Sequence, residues 1–188
     1  MRHPSGHVLR FAIPGLLLLA VAAGCTCQPG MKAFDVRVQP RLAARGDQPA
    51  LSSVEVNLVG VSEQDFPRWA SYPMNQYWSP SDPLRRAAST AGRIHVMVLS
   101  ADDSRTKVLS STDPIWNKWK EQGVMHLVVL AFLPGARSDR PNQDPQRLVL
   151  PLDRCRWKDI DSLDVSVEPT GLTTRSVPQA EHQGFGGG

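Results

Sequence analysis

The sequence predicts an all-β domain in the main, an antiparallel β-sandwich of about seven strands with one or two short helices. Three observations carry this. Seven short segments, 34–38, 54–58, 93–99, 105–109, 124–132, 147–150 and 163–167, either alternate apolar with polar residues or run apolar throughout. Turn formers separate them, drawn from 16 prolines and 14 glycines. Only two stretches carry a helix-start signal, and both are short. A chain of 188 residues is the length of one domain with terminal extras, which excludes a large multidomain enzyme.

The first two segments, 34–38 and 54–58, alternate at period two and read as half-buried strands. The segment 124–132 is apolar at nearly every position, which predicts a central strand covered on both faces. The two helix signals are Ser81-Asp82-Pro83 and Thr112-Asp113-Pro114, each setting a capping side chain before a proline at the first helical position. They predict helices over 84–88 and over 115–122, the second closed by Gly123. Ile115 and Trp119 lie four apart on one face of the second helix, which suits packing against a sheet.

The least ordinary stretch is 66–78, where Phe66, Trp69, Tyr72, Tyr77 and Trp78 fall within 13 residues among Pro67, Pro73 and Pro80. Proline limits regular structure, so this reads as an irregular excursion or a short helix between the sheets. Its aromatics either plug the open end of the sandwich or stand in part on an exposed interface, where Trp, Tyr and Arg are favoured anchors. The stretch 134–145 is polar and rich in turn formers, hence a long exposed loop, and the Gly-rich segment 177–188 reads as a disordered tail.

Residues 1–24 begin with Arg2, His3, His7 and Arg10 and continue into a 14-residue uncharged run from Phe11 to Gly24. That run is shorter than the ~20 residues a membrane-spanning helix needs, and it contains Pro14 and Gly15, so it has the shape of a signal peptide. Ala22, Ala23 and Gly24 lead directly into Cys25, an ending that resembles the bacterial lipobox. The resemblance implies cleavage before Cys25 and acylation of that cysteine, with 25–33 as the tether, 34–176 as the folded domain, and attachment to a membrane through the N-terminal lipid. Thr26 stands where the sorting rule places an aspartate for retention at the inner membrane, so the rule sends this chain to the periplasmic face of the outer membrane. Ordinary secretion with Cys25 in a disulfide is the alternative. With Cys25 acylated, Cys27 and Cys155 remain; in an oxidising envelope they either pair with each other across about 130 residues or stay reduced or bond other chains.

Composition narrows function further. Net charge is +3, and removing Arg2 and Arg10 from the 21 basic residues leaves 19 against 18 acidic ones. So near-neutral a balance, without a basic stripe, argues against nucleic acid as a partner. The motifs of nucleophile elbows, zinc proteases, phosphate loops and dinucleotide folds are absent, so the chain does not read as an enzyme and no cofactor is implied. His95 and His126 both fall in strands but lack an evident third metal ligand. Asp159, Asp161 and Asp164 imitate a calcium loop, but Leu163 and Asp164 stand where that loop needs an oxygen ligand and a glycine. Asp102 and Asp103 fall in a turn, away from any cleft that paired acid–base chemistry requires.

The lipobox, the seven-strand domain, the run 126–132, the loop after it and the basic-led strand 146–152 together resemble the type VI secretion lipoprotein family, the TssJ-type proteins. That resemblance implies a transthyretin-like, immunoglobulin-like sandwich at the outer membrane that binds the periplasmic part of a large inner-membrane secretion protein through its loops. On this reading 60–80 is the first place to look for a docking surface, with Trp69, Tyr72, Tyr77 and Trp78 as the implied anchors for the partner. The proline- and tryptophan-rich 66–80 segment, the second Asp-Pro helix and the Gly-rich tail depart from the family's pattern. Two other classes compete: a small-molecule-binding lipoprotein with a cavity beside Trp69 and Tyr77, and an envelope hydrolase built around His95 or His126.

Overall fold

Two four-stranded sheets face each other in a computed structural model that describes residues 27–44, 50–102, 104–136 and 144–180. The signal-peptide and acylation readings for 1–24 and Cys25, part of the 134–145 loop, and the tail from 181 lie outside the described residues. In chain order the elements are β1 Asp35–Pro40, β2 Ser53–Ser62, α1 Phe66–Ser71, α2 Met74–Tyr77, α3 Pro83–Thr90, β3 Ile94–Ser100 and β4 Lys107–Leu109. They continue with α4 Ile115–Glu121, β5 Val124–Ala131, β6 Arg147–Pro151, a 3₁₀ turn Arg154–Arg156, β7 Ser162–Glu168 and β8 Gly171–Thr174. One sheet runs β4-β1-β7-β8 and the other β3-β2-β5-β6.

All seven expected strands are present, and β8 is an eighth. Its four residues carry one apolar side chain, Leu172, and their pairing with β7 supplies the order that so short a segment lacks. The expectation of purely antiparallel sheets needs one correction: β1 lies parallel to β7, Val36 opposite Leu163 and Val38 opposite Val165. These strands are joined through the whole of the other sheet, so no hairpin fixes their relative direction.

The alternating strands put one face inward, as period two requires. Val36 and Val38 from β1, Leu163, Val165 and Val167 from β7, and Val54, Val56 and Leu58 from β2 meet between the sheets. The strand β5 is central, flanked by β2 and β6, and is covered on both faces. Leu127, Val129 and Ala131 point into the sandwich, while Val128 and Leu130 join Val59 and Val61 in a second apolar cluster on the outer face. Helices α1, α2 and α3 cover that outer face, contributing Trp69, Met74, Tyr77, Leu84 and Ala88.

Both Asp-Pro signals precede helices, but only the first is built as expected: Asp82 caps α3 with Pro83 at the first helical position, whereas at α4 Pro114 itself is the N-cap and offers no side-chain cap. An Asp82 carboxylate oxygen accepts from the Arg85 backbone N–H at 2.7 Å, and Asp113 accepts from that of Ile115 at 2.9 Å. Helix α4 then presents Trp116 and Trp119 to the core, with the Trp116 indole N–H donating to the Ser110 carbonyl at 2.8 Å. Gly60 in β2 permits the closest contact there, since a Cβ at that position would lie 2.7 Å from the Trp119 ring. Among the described residues no helix is long and apolar enough to cross a membrane.

Candidate partner-binding surface

The aromatic segment forms the two short helices α1 and α2, with Pro67 in the first turn of α1 where its missing N–H costs no hydrogen bond. Its rings do not plug the end of the sandwich; they seal the outer face of the β3-β2-β5-β6 sheet. Trp69 is 3% exposed and Tyr77 0%, their rings meeting edge to face at 5.9 Å. The expected anchors Trp69 and Tyr77 are therefore corrected to core residues, because the apolar outer face of β2 and β5 needs a cover and these rings supply it. Tyr72 and Trp78 remain half-buried, with part of each ring open to solvent.

Hydrogen bonds fasten this layer to the sheet. The Asn57 amide donates to the Tyr77 hydroxyl at 3.0 Å within the buried interior. Burial pushes the Tyr77 phenol up to about 12, opposed in part by that bond. Tyr72 donates to Asp82 at 2.6 Å, so the carboxylate that caps α3 also holds α1's exit, and this bond raises the Tyr72 phenol. The Arg147 guanidinium reaches from β6 to the carbonyls of Trp69 at 2.7 Å and Tyr72 at 3.0 Å. Its own burial draws the guanidinium's pKa down from its ordinary value.

Beside this sealed layer lies an exposed apolar patch. Phe132, just past β5, is 46% exposed and packs on Trp78 with ring centres 5.4 Å apart. Arg85 lies over the Trp78 ring at 5.1 Å and pairs with Glu55 at 2.5 Å. Glu55 is flanked on both sides: its carbonyl accepts from the Phe132 N–H at 2.9 Å, and Val98 stands opposite it in the register of β3. Val98 is 64% exposed and its outward neighbour Val96 54%. Phe132, Trp78, the Arg85–Glu55 pair, Val98 and Val96 thus adjoin one another, and β3 is the edge of its sheet. An arginine held over an aromatic ring among open apolar groups is the composition of an interface centre. The half-exposed ion pair itself contributes little to folding.

Sequence reasoning reached Trp78 in this patch and missed Phe132, Val96, Val98, Arg85 and Glu55. A signal was present: 94–99 is apolar at five of its six positions, yet β3 is an edge strand with one face to bury. The two histidines do not come together. His95 pairs with Leu58 on the core-facing side, while His126 pairs with Val61 on the outer side, stacked on Phe66 with ring centres 4.1 Å apart. The His126 Nε2 lies 3.0 Å from a Glu63 carboxylate oxygen. Asp161 is 2.8 Å from Lys32 Nζ, and Asp164 lies in β7. No group of three or more His, Cys, Asp or Glu is arranged to hold a metal among the described residues. Cys27 and Cys155 are joined by a disulfide with an S–S distance of 2.03 Å.

The fold and this surface define a class: a disulfide-stapled two-sheet sandwich with a helical outer layer and an aromatic, arginine-bearing patch at its rim. No family model and no curated protein matches the sequence. Among solved structures, the chain resembles one from the T6SS protein TssM C-terminal domain structure of EAEC at 14% identity and a TM-score of 0.51, covering 75% of this chain and 98% of that one. It is also similar to Lip of Serratia marcescens, described as a membrane-bound component of the Type VI Secretion System, at 12% identity and TM-score 0.45 over 76% and 96% of the two chains. A third likeness is the T6SS lipoprotein TssJ1 of Pseudomonas aeruginosa, at 14% identity and TM-score 0.43 over 82% and 99%. The fold is thus one found in a type VI secretion structure.

Proposed function

We propose that this chain is a non-enzymatic lipoprotein of a type VI secretion membrane complex, anchored at the periplasmic face of the outer membrane through Cys25 and docking the periplasmic part of an inner-membrane secretion protein. Residues 1–24 are the cleaved signal peptide, 25–33 the tether, 34–176 the sandwich and 177–188 the tail. The observation that carries the docking role is the patch of Phe132, Trp78, Arg85–Glu55, Val98 and Val96, in which Phe132, Val96 and Val98 are exposed while the other large apolar residues of the same sheet are buried or half-buried. The shared fold supports the assignment to secretion machinery. An anchor strengthens such docking by keeping the surface at a fixed place, which raises its effective concentration toward a partner in the same envelope. The small-molecule reading places its pocket beside Trp69 and Tyr77, and both rings are packed shut against β2 and β5.

The test is affinity capture of the tagged, acylated protein from gently solubilised envelopes, with mass spectrometry of what accompanies it and a Phe132→Ser variant alongside. The proposal expects a large inner-membrane secretion component in the wild-type capture and its loss in the variant, with membrane attachment unchanged. Equal recovery of that component with both proteins, or its absence from both, contradicts the proposal.

A further inference from the structure

The disulfide joins the sandwich to the chain at a point two residues from the proposed lipid. One residue, Thr26, separates Cys25 from Cys27, so the two Cα–Cα steps between them span at most about 7 Å. Cys155 stands 5.6 Å from Cys27, Cα to Cα. From Cys27 onward the chain has no slack: the Gly30 carbonyl accepts from the Arg154 N–H at 2.9 Å, Gly30 N–H donates to Asp153 at 3.2 Å, and Lys32 N–H donates to the Leu152 carbonyl at 2.8 Å. Of the nine residues that the sequence presents as a tether, 25–33, the described ones from Cys27 onward are therefore laid against the end of β6 and the 3₁₀ turn. An acyl chain on Cys25 would hold the turn Arg154–Arg156 within about 7 Å of chain, plus the disulfide, of the bilayer surface.

Resting on the acylation reading above, we infer that the end of the sandwich bearing Cys155, Arg154 and Lys158 is a membrane-facing surface whose partner is the phospholipid headgroup layer. The side chains there suit it. Lys32, Arg154, Arg156 and Lys158 stand there against Asp153, Asp159 and Asp161, four cations to three carboxylates, with Arg154 and Lys158 exposed, Arg156 tied to the Gln179 carbonyl and Lys32 paired with Asp161. Cationic side chains at this depth meet anionic headgroups favourably. The orientation also places the docking patch. Met125 lies at this end, its carbonyl accepting from the Leu152 N–H at 2.7 Å, and Phe132 is seven residues further along β5. At about 3.3 Å per residue that carries Phe132 roughly 23 Å toward the opposite end, away from the membrane.

The experiment uses the full acylated chain in proteoliposomes of phosphatidylethanolamine and phosphatidylglycerol, with the photocrosslinker p-benzoylphenylalanine placed at Lys158 in one preparation and at Phe132 in another. Lipid adducts are counted on the tryptic peptides by mass spectrometry, and the N-terminal peptide is weighed for acylation. The inference expects several-fold more adduct at 158 than at 132, and a several-fold fall at 158 in Cys27→Ser/Cys155→Ser protein that is still acylated and folded by circular dichroism. Equal adducts at the two positions, or no fall on removing the disulfide, in acylated membrane-bound protein overturns the orientation and leaves the anchor reading standing. An unmodified Cys25 in protein processed by its own host overturns both.

Discussion

Gly60→Ala is the smallest change that tests how the core is assembled. Gly60 is buried in β2, paired with Leu127 of β5, and its backbone conformation is an ordinary one, so alanine meets no φ penalty. The new methyl carbon lies 2.7, 2.8 and 2.9 Å from three atoms of the Trp119 ring. Carbon atoms prefer about 3.5–4.0 Å, so ring or strand must retreat by roughly 0.6–1.3 Å. The ring has little room, being fully buried and packed edge to face on Trp116 at 5.0 Å. Overpacking of this kind costs about 1–3 kcal/mol. Loss of glycine's freedom in the unfolded chain offsets about 0.4–1 kcal/mol of that. Taking the middle of both ranges, the expected net destabilisation is about 1.3 kcal/mol, a fall of roughly 3–5 °C in Tm for a domain of this size. Urea unfolding followed by tryptophan fluorescence measures it, and the Trp119→Phe substitution should cost less in the Gly60→Ala background than alone. A Gly60→Ala protein as stable as wild type, or additive behaviour of the two substitutions, refutes the packing argument.

Three further outcomes follow from the same contacts. Reducing the Cys27–Cys155 bond, which closes a separation of 128 residues, is expected to destabilise the domain by at most about 4–5 kcal/mol; a melting temperature indifferent to reductant contradicts this. Arg147→Met removes the donors that hold the Trp69 and Tyr72 carbonyls and should cost about 1.5–3 kcal/mol in a denaturant titration, with unchanged stability counting against the fastening role. Tyr77 is raised to about 12 from an ordinary 10 by burial, and Tyr72 is raised by its bond to Asp82, so the phenolate transitions of the folded protein should lie above pH 10, that of Tyr77 near 12. Because the folded pKa lies above the unfolded one, the Tyr77 contribution to stability is fully present below pH 10 and is lost as pH rises from 10 to about 12. A phenolate step of two tyrosines centred at pH 10 in native protein contradicts the burial account.

Much of the architecture was legible because local and global preferences agree. The strand β5 announces its central place by being apolar on both faces, Asp82-Pro83 announces α3 through a side-chain cap, and Pro114 marks the start of α4 as its N-cap, all signals that act within a few residues. What depends on distant pairing was not legible. The direction of β1 against β7 is set by how the sheets close, and β8 exists by virtue of β7. The aromatic segment is unusual in composition, but a ring that covers a sheet face and a ring that waits for a partner are the same residue type in sequence. Trp69 and Tyr77 went inward because Val59, Val61, Val128 and Leu130 point outward from the sheet beneath them. Phe132 stays open because it follows the end of β5, where the helical layer reaches only as far as Trp78.

The central claim is that the rim patch docks a secretion protein, and titration calorimetry tests it most directly: the tag-free, disulfide-intact domain against the purified periplasmic region of the inner-membrane secretion component captured with it. A buried aromatic at the centre of an interface is worth about 2 kcal/mol or more, so Phe132→Ser is expected to weaken binding by roughly 30-fold or more while circular dichroism stays native. Unchanged affinity in that folded variant, or no heat of binding with wild type, contradicts the account.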